Sequence, residues 1–424
     1  MVYEIILFPI QAIMITLSGV SISYLLKLKN NGGILLGIIN VIAILHFMPP
    51  IFYYLFGTNI YYLFSALLVF GTIFPIINRK IWPLVINNYT LLIKNHFTLL
   101  AILMIMLSRW ITLPDDSNLL RGDIITHIPH IVLYGEGYLG YPSVSYLRGF
   151  HSFFLTMSYG FDNTLVARSI FLTLIYFGWL FYASLLLDYL SDIRAAILLL
   201  LSSGMGILGK TGGFLTNSGW WLVRQSNIQP EISGWLFVVI ILWLMQYYPV
   251  NKNNYKILYV TLISCGLAAG NSNPFFVMTC VPFILSWYPI SRYKNNLKLV
   301  PKSFYELLII IIPILALIFS ASYSLLMVEK YDNSNFDLHN SESRSEDLES
   351  EFGIYYTEGI SLVTIIELLT PKLDNAESAL SLETPQIIFI LSCILGLVFI
   401  KSGIENNDKG ILLFLIPLFT VSYT

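Results

Sequence analysis

The sequence predicts an all-α fold, a polytopic transmembrane helical bundle of about 11–12 spans, and three observations carry that reading. Of the 424 residues, 56% are hydrophobic and only 11% are charged, more apolar surface than a soluble core of this length can bury. Apolar runs long enough to cross about 30 Å of hydrocarbon recur along the chain. Lysines and arginines collect in alternate short loops, as they do in multi-span proteins. The net charge of −2 excludes a basic footprint, so no nucleic acid is expected as a partner.

Taken in chain order, spans are predicted over 4–26, 33–57, 59–78, 97–113, 163–189, 193–209, 232–249, 256–270, 273–290, 304–327, 386–401 and 410–424. The first lacks a basic leader and is long enough to span, so it reads as a retained helix and not a cleaved signal. His46, followed by Pro49 and Pro50, reads as a buried neutral histidine at a kink. Cys265, Cys280 and Cys393 all fall inside apolar runs without metal-ligand spacing and read as small core residues.

If the spans alternate, Lys27/Lys29, Arg79/Lys80/Lys94, Arg194, Lys252/Lys256, Arg292/Lys294/Lys298/Lys302 and Lys401/Lys409 share one side, which is then cytoplasmic. The expected setting is a multi-pass protein in a lipid bilayer, the plasma membrane of a prokaryote before an endomembrane. Residues 1–424 read as one transmembrane domain without internal repeats. The sequence stops inside the apolar run FLIPLFTVSYT, which leaves two readings open: a last helix ending at the surface, or a missing C-terminal part.

Three long segments share the opposite, extracytoplasmic side: 114–162, 210–231 and 328–385. The third contains NSESRSEDLESE, a solvated acidic loop, followed by an apolar stretch at 360–373 suited to lying in the interface. The first is the richest in chemistry. Between Asp115 and His151 it holds Asp115, Asp116, Asp123 and Glu136, together with His127, His130, His151, Arg121 and Arg148. In GDIITHIPHI, Asp123 and His127 are i and i+4 and share a face if the segment is helical, while Ile124, Ile125, Ile128, Ile131 and Val132 press the other face onto the membrane. Carboxylate and imidazole side by side suit a general base or a cation-holding site; a merely solvated loop is the plainer alternative. Segment 149–161 is too short to cross and reads as a half-helix or a helix lying at the surface, with His151 near its start.

An apolar span ending at WITLP, then an acidic loop, then GDIITHIPHIVLYGEGYLGYP, then GFHSFFLTMSYGFDNTLVARSIFLTL follow one another over about residues 105–190. This order resembles the first extracytoplasmic loop of the GT-C superfamily of glycosyltransferases, which includes protein O-mannosyltransferases and oligosaccharyltransferases. The resemblance implies transfer of a sugar from a polyprenyl-phosphate-linked donor to a protein, lipid or glycan acceptor on the extracytoplasmic side. It matches Asp123 to the acidic residue that deprotonates the acceptor, or orients it through a divalent cation such as Mg or Mn. The family often carries an adjacent acidic or acidic-aromatic pair here. In this chain Ile124 follows Asp123, and the adjacent acidic pair is Asp115-Asp116, which could carry the role instead.

Glycosyl transfer from a lipid phosphate passes through an oxocarbenium-like state and needs a carboxylate to activate the acceptor and cations to hold the departing phosphate. Arg121, Arg148 and Arg168 fall on the same side as the aspartates, and a guanidinium binds two phosphate oxygens at once. Arg168 reads more readily as snorkelling to the interface, or as paired with Asp162. In the second segment, Lys210, Arg224 and Glu231 stand among glycines and Trp220/Trp221; the rings could cover a sugar, or form an ordinary headgroup belt. Glu231, after Pro230, also favours a helix N-terminus. Asn271 and Asn273 in GNSNPFFVM read as a turn between spans. The competing classes are a transporter or flippase for a lipid-linked substrate and a non-catalytic GT-C-like scaffold subunit. Little deep charge is expected, because Asp188, Asp192 and Glu306 fall near span ends, which counts against ion-coupled transport.

Overall fold

Nearly all of the apolar sequence that can be traced is helical. The computed structural model describes residues 2–28, 31–83, 94–112, 131, 148–158, 163–188, 190–202, 231–247, 255–272 and 304–332. In chain order the α-helices are α1 (Val2–Leu25), α2 (Asn31–Phe56), α3 (Asn59–Ile77), α4 (His96–Thr112), α5 (Arg148–Ser158), α6 (Asn163–Leu187), α7 (Asp192–Ser202), α8 (Glu231–Tyr247), α9 (Tyr255–Ser272) and α10 (Phe304–Asp332). No strand occurs among the described residues. Four stretches are long and apolar enough to cross a bilayer: Ile6–Leu25, Gly33–Tyr53, Asn59–Ile77 and Val166–Leu187. Such helices are those of a membrane protein. Shorter apolar stretches lie at His96–Leu107, Ile232–Gln246 and Leu307–Tyr323. The spans predicted over 273–290, 386–401 and 410–424, the loop at 328–385 from residue 333 onward, and residues 203–209 lie outside the described residues.

Long apolar helices solve one problem and create another. All backbone bonds close within the helix, but each internal proline leaves the carbonyl four residues earlier without a donor. Pro50 does this to His46, and the side-chain amide of Asn271 on α9 donates to that carbonyl at 3.1 Å. Pro75 does it to Gly71, and the Ser21 hydroxyl on α1 donates there at 2.6 Å. A buried carbonyl left unmet costs about 1–3 kcal/mol, so these donors hold the kinked helices to their neighbours. Related ties join Ser18 to the Leu68 carbonyl at 2.9 Å, Asn40 to the Thr261 hydroxyl at 2.8 Å and Ser320 to the Leu267 carbonyl at 2.7 Å.

The pairings also fix direction. Ser18 and Ser21 meet α3 at residues 68 and 71, Asn40 and His46 meet α9 at residues 261 and 271, and Phe181 and Asp188 meet α8 at residues 243 and 246. In each pair the helices run parallel, as alternating spans require of first with third, second with eighth and fifth with seventh. α9 and α10 are parallel as well, in close contact through G266-L-A-A-G270. A β-carbon at Gly266 would sit 2.6 Å from the Pro313 carbonyl oxygen, and one at Gly270 would sit 2.5 Å from that of Leu317. Only glycine lets two helix backbones approach so nearly.

α1 ends where Lys27 turns left-handed (φ 56°), its N–H reaching the Tyr24 carbonyl and that of Leu28 reaching Ser23. At the same end of the bundle, Asp192 opens α7 and takes the Phe97 and Thr98 amides of α4 at 3.0 and 2.9 Å. Desolvation raises this carboxyl, but the Thr98 hydroxyl and amide, the Phe97 amide and the charge of His96 outweigh it and hold it below its ordinary value. Outward faces are apolar: Tyr62, Leu67, Phe70 and Ile73 on α3, and Leu100 and Leu103 on α4, are all exposed. That is the surface a bilayer covers.

Two expectations change here. The turn expected over Asn271 and Asn273 does not begin at Asn271: α9 continues through Ser272, and the Asn271 amide meets the carbonyl that Pro50 set free, while Asn273 lies outside the described residues. Ile131, expected to press on the membrane, is helical and buried in the protein core.

Candidate functional site: a buried half-helix

α5 is the element too short to span. At about 1.5 Å per residue its 11 residues cover about 16 Å, roughly half of the apolar thickness. Ten of its 11 residues are buried against other parts of the protein. It packs against α2, α3, α6 and α9. Gly149 makes this entry possible: a β-carbon there would lie 2.8 Å from the Ser272 hydroxyl and 3.0 Å from the His46 carbonyl oxygen. At the other end, the Thr156 carbonyl accepts from Ser65 of α3 at 2.6 Å.

Two predicted site residues, Arg148 and His151, stand on this helix at i and i+3 and so share a face. Both are buried, at 2% and 0% exposure. The Arg148 guanidinium lies 5.9 Å over the ring of Tyr323 on α10, a cation–π distance. Against the neighbouring face of α5, His46 stacks on Phe153 (centroids 4.5 Å apart, planes at 22°) and meets Phe237 edge-on. Its Nδ1 donates to the Ile42 carbonyl at 2.8 Å and its Nε2 pairs with the Ser233 hydroxyl at 3.2 Å. His46 is therefore the structural kink histidine the sequence implied, tying α2 to α8 beneath α5.

Of the two readings of Arg168, the outward reach does not hold, and the pairing with Asp162 lies outside the described residues. Its guanidinium does not reach outward; it is 6% exposed, donates to the Trp110 carbonyl and lies 5.9 Å from the Trp110 ring. It thus neutralises the last turn of α4, where the acidic loop departs. Arg148 and Arg168 are both buried inside the protein. Length and composition revealed the spans but could not say which arginines pack within them.

Of the other predicted site residues, Glu231 is the first residue of α8, as its position after Pro230 suggested, and its side chain is not described. Asp115, Asp116, Arg121, Asp123, His127 and Arg224 lie outside the described residues. Among the described residues no group of three His, Cys, Asp or Glu side chains is placed to hold a metal ion, and the divalent-cation expectation rested on Asp123.

Sequence reasoning passed over the hydroxyls around α5. Ser152 and Thr156 follow Arg148 at four-residue intervals, a stripe visible in RGFHSFFLT. Both are fully buried, as is Ser272 beside Gly149. None of the three hydroxyls has a hydrogen-bond partner among the described residues. Elsewhere hydroxyls in the apolar helices bond back to the preceding turn: Thr16 to Ala12, Thr72 to Leu68, Thr173 to Ser169 and Thr261 to Ile257.

Comparison with family models, curated proteins and solved structures gives no match for this chain.

Proposed function

We propose that the protein is an integral-membrane glycosyltransferase of the GT-C type, moving a sugar from a polyprenyl-phosphate-linked donor to a protein, lipid or glycan acceptor on the extracytoplasmic face. The observation that supports it best is the half-helix: directly after the acidic loop, the chain buries α5 with Arg148 and His151 inside the bundle. Burying a guanidinium is costly, and the cost is sensible where an anion has to be met. In this reading Asp123, or Asp115 or Asp116, takes the acceptor's proton while Arg148, with Arg121 and Arg224, neutralises the departing lipid phosphate. His127 and His151 orient those groups by hydrogen bonding.

The test is transfer of radiolabelled sugar from a polyprenyl-phosphate donor by the purified full-length protein. Asp123→Asn is expected to lower the rate on the order of 100-fold or more with unchanged expression. Full transfer by Asp123→Asn, Asp115→Asn and Asp116→Asn alike would remove the acidic loop from the chemistry.

One observation favours a second class. Buried Arg148 and Arg168, beside a helix that stops part-way, are also features of transporters. A transporter would move a labelled lipid-linked substrate across a proteoliposome membrane, and would do so with all three aspartates replaced.

A further inference from the structure

We propose that the end of α1 and the turn after α3 form a docking corner for an anionic phospholipid. The charge is set by the sequence: no acidic residue occurs between Glu4 and Asp115, while Lys27, Lys29, Arg79, Lys80, Lys94 and Arg109 all fall in that stretch. Parallel packing gathers part of this charge in one place. Ser18 and Ser21 of α1 bond to the Leu68 and Gly71 carbonyls of α3, so the two helices end side by side, and the 3-10 turn Arg79–Ile81 packs on both. Ile81 is fully buried and anchors the turn. Lys80 and Trp82 are left exposed, as is Lys27 at the left-handed end of α1.

The lysines are not needed to finish these helices. The Ile22, Ser23, Tyr24 and Phe74 carbonyls receive the amides of Leu26, Leu28, Lys27 and Asn78. Of the carboxylates described at this end, Asp188 meets Gln246 and Asp192 meets the amides of α4. Next to the lysines in the chain lies apolar surface: Leu25 and Leu26 of α1, and Ile76 and Ile77 of α3, are exposed. A ligand that covers the corner therefore carries a negative head and an apolar tail, which is the chemistry of an anionic phospholipid. A soluble anion would leave the leucines and isoleucines bare. Trp82 fits the same level, since its ring favours the boundary between tails and headgroups. This inference does not rest on the transferase reading.

The experiment is native mass spectrometry of the purified full-length protein in a neutral detergent, titrated with dioleoylphosphatidylglycerol, dioleoylphosphatidylcholine or glycerol phosphate. Wild type is expected to bind phosphatidylglycerol about tenfold more tightly than either of the others. Lys27→Gln and Lys80→Gln are each expected to weaken that binding about fivefold, the effect of one lysine at an anionic lipid surface. Lys27→Arg and Lys80→Arg are expected to bind like wild type, because charge is what the headgroup meets. Lys94→Gln, at the same end but before α4, which packs on α6 and α7, is expected to leave affinity unchanged. Phosphatidylcholine bound as tightly as phosphatidylglycerol, or unchanged affinity in both glutamine variants, overturns the corner. An equal loss in Lys94→Gln does the same, by showing a diffuse basic face. A loss that persists in the arginine variants also overturns it, by showing the lysines to be structural. Glycerol phosphate bound as tightly as phosphatidylglycerol overturns the lipid as occupant.

Discussion

α5 and the helices around it use the same polar side chains in opposite ways. In α1, α2, α3, α9 and α10, Ser21, Asn40, Asn271 and Ser320 each close a bond to a neighbouring helix, and two of those bonds repair carbonyls that prolines released. In α5, Arg148, Ser152 and Thr156 are equally buried, yet the hydroxyls join nothing among the described residues. The first arrangement is what lipid demands of a stable bundle. The second weakens the bundle. The two regions thus differ in whether their buried hydroxyls are used to hold helices together.

It can be broken at several points. Gly270→Leu drives a side chain into the Leu317 carbonyl of α10 and is expected to cost about 3 kcal/mol, read as a lower unfolding temperature. Asn271→Leu leaves the His46 carbonyl unmet in an apolar setting, at about 2 kcal/mol. Ser21→Ala does the same to Gly71 more mildly, at about 1 kcal/mol, since the hydroxyl is also shared with the Leu17 carbonyl. Unfolding in all three can be followed by the reactivity of Cys265, a free thiol buried in α9. If any of them left stability unchanged, the contrast between the two regions would lose its first half.

The smallest effect is pH-dependent and falls at the opposite end of the bundle. The Asp192 carboxyl is held below its ordinary value, so its contribution is complete above the unfolded value near 4 and is lost as pH falls through the lower folded value. Melting temperatures of wild type and Asp192→Asn are expected to differ at pH 7 and to converge below about pH 4, by an amount like the loss of one helix cap, about 0.5–1 kcal/mol. A difference that persisted at low pH would show that Asp192 holds α4 by packing alone.

The helices were legible because length and apolarity decide them: α1, α2, α3, α4, α6, α8 and α9 all begin and end within about two residues of where the sequence put apolar spans, and four of them, α1, α2, α3 and α6, are long and apolar enough to cross a bilayer. Contacts between helices were not legible in that way. Asn271 in GNSNP carries a local turn signal, yet it is helical and meets the His46 carbonyl, more than 200 residues away. Arg168 illustrates the same limit: snorkelling and burial are equally compatible with an arginine near a span end, and the Trp110 carbonyl decides between them. At the site, Arg148 and His151 could be read from their place after the acidic loop. The i, i+4, i+8 stripe of Arg148, Ser152 and Thr156 was present too, but hydroxyls in helices are commonplace until their bonding partners can be inspected.

The most direct measurement sets stability and transfer side by side in Arg148→Met. Methionine of similar length leaves the packing filled and removes the charge that meets the Tyr323 ring, a contact of about 1–2 kcal/mol. The expected result is a folded protein whose unfolding temperature falls by a few degrees at most, with sugar transfer from a polyprenyl-phosphate donor reduced on the order of 100-fold. A variant that unfolds several degrees earlier while transferring at the wild-type rate would show that Arg148 is part of the scaffold, and α5 no more than another packed helix.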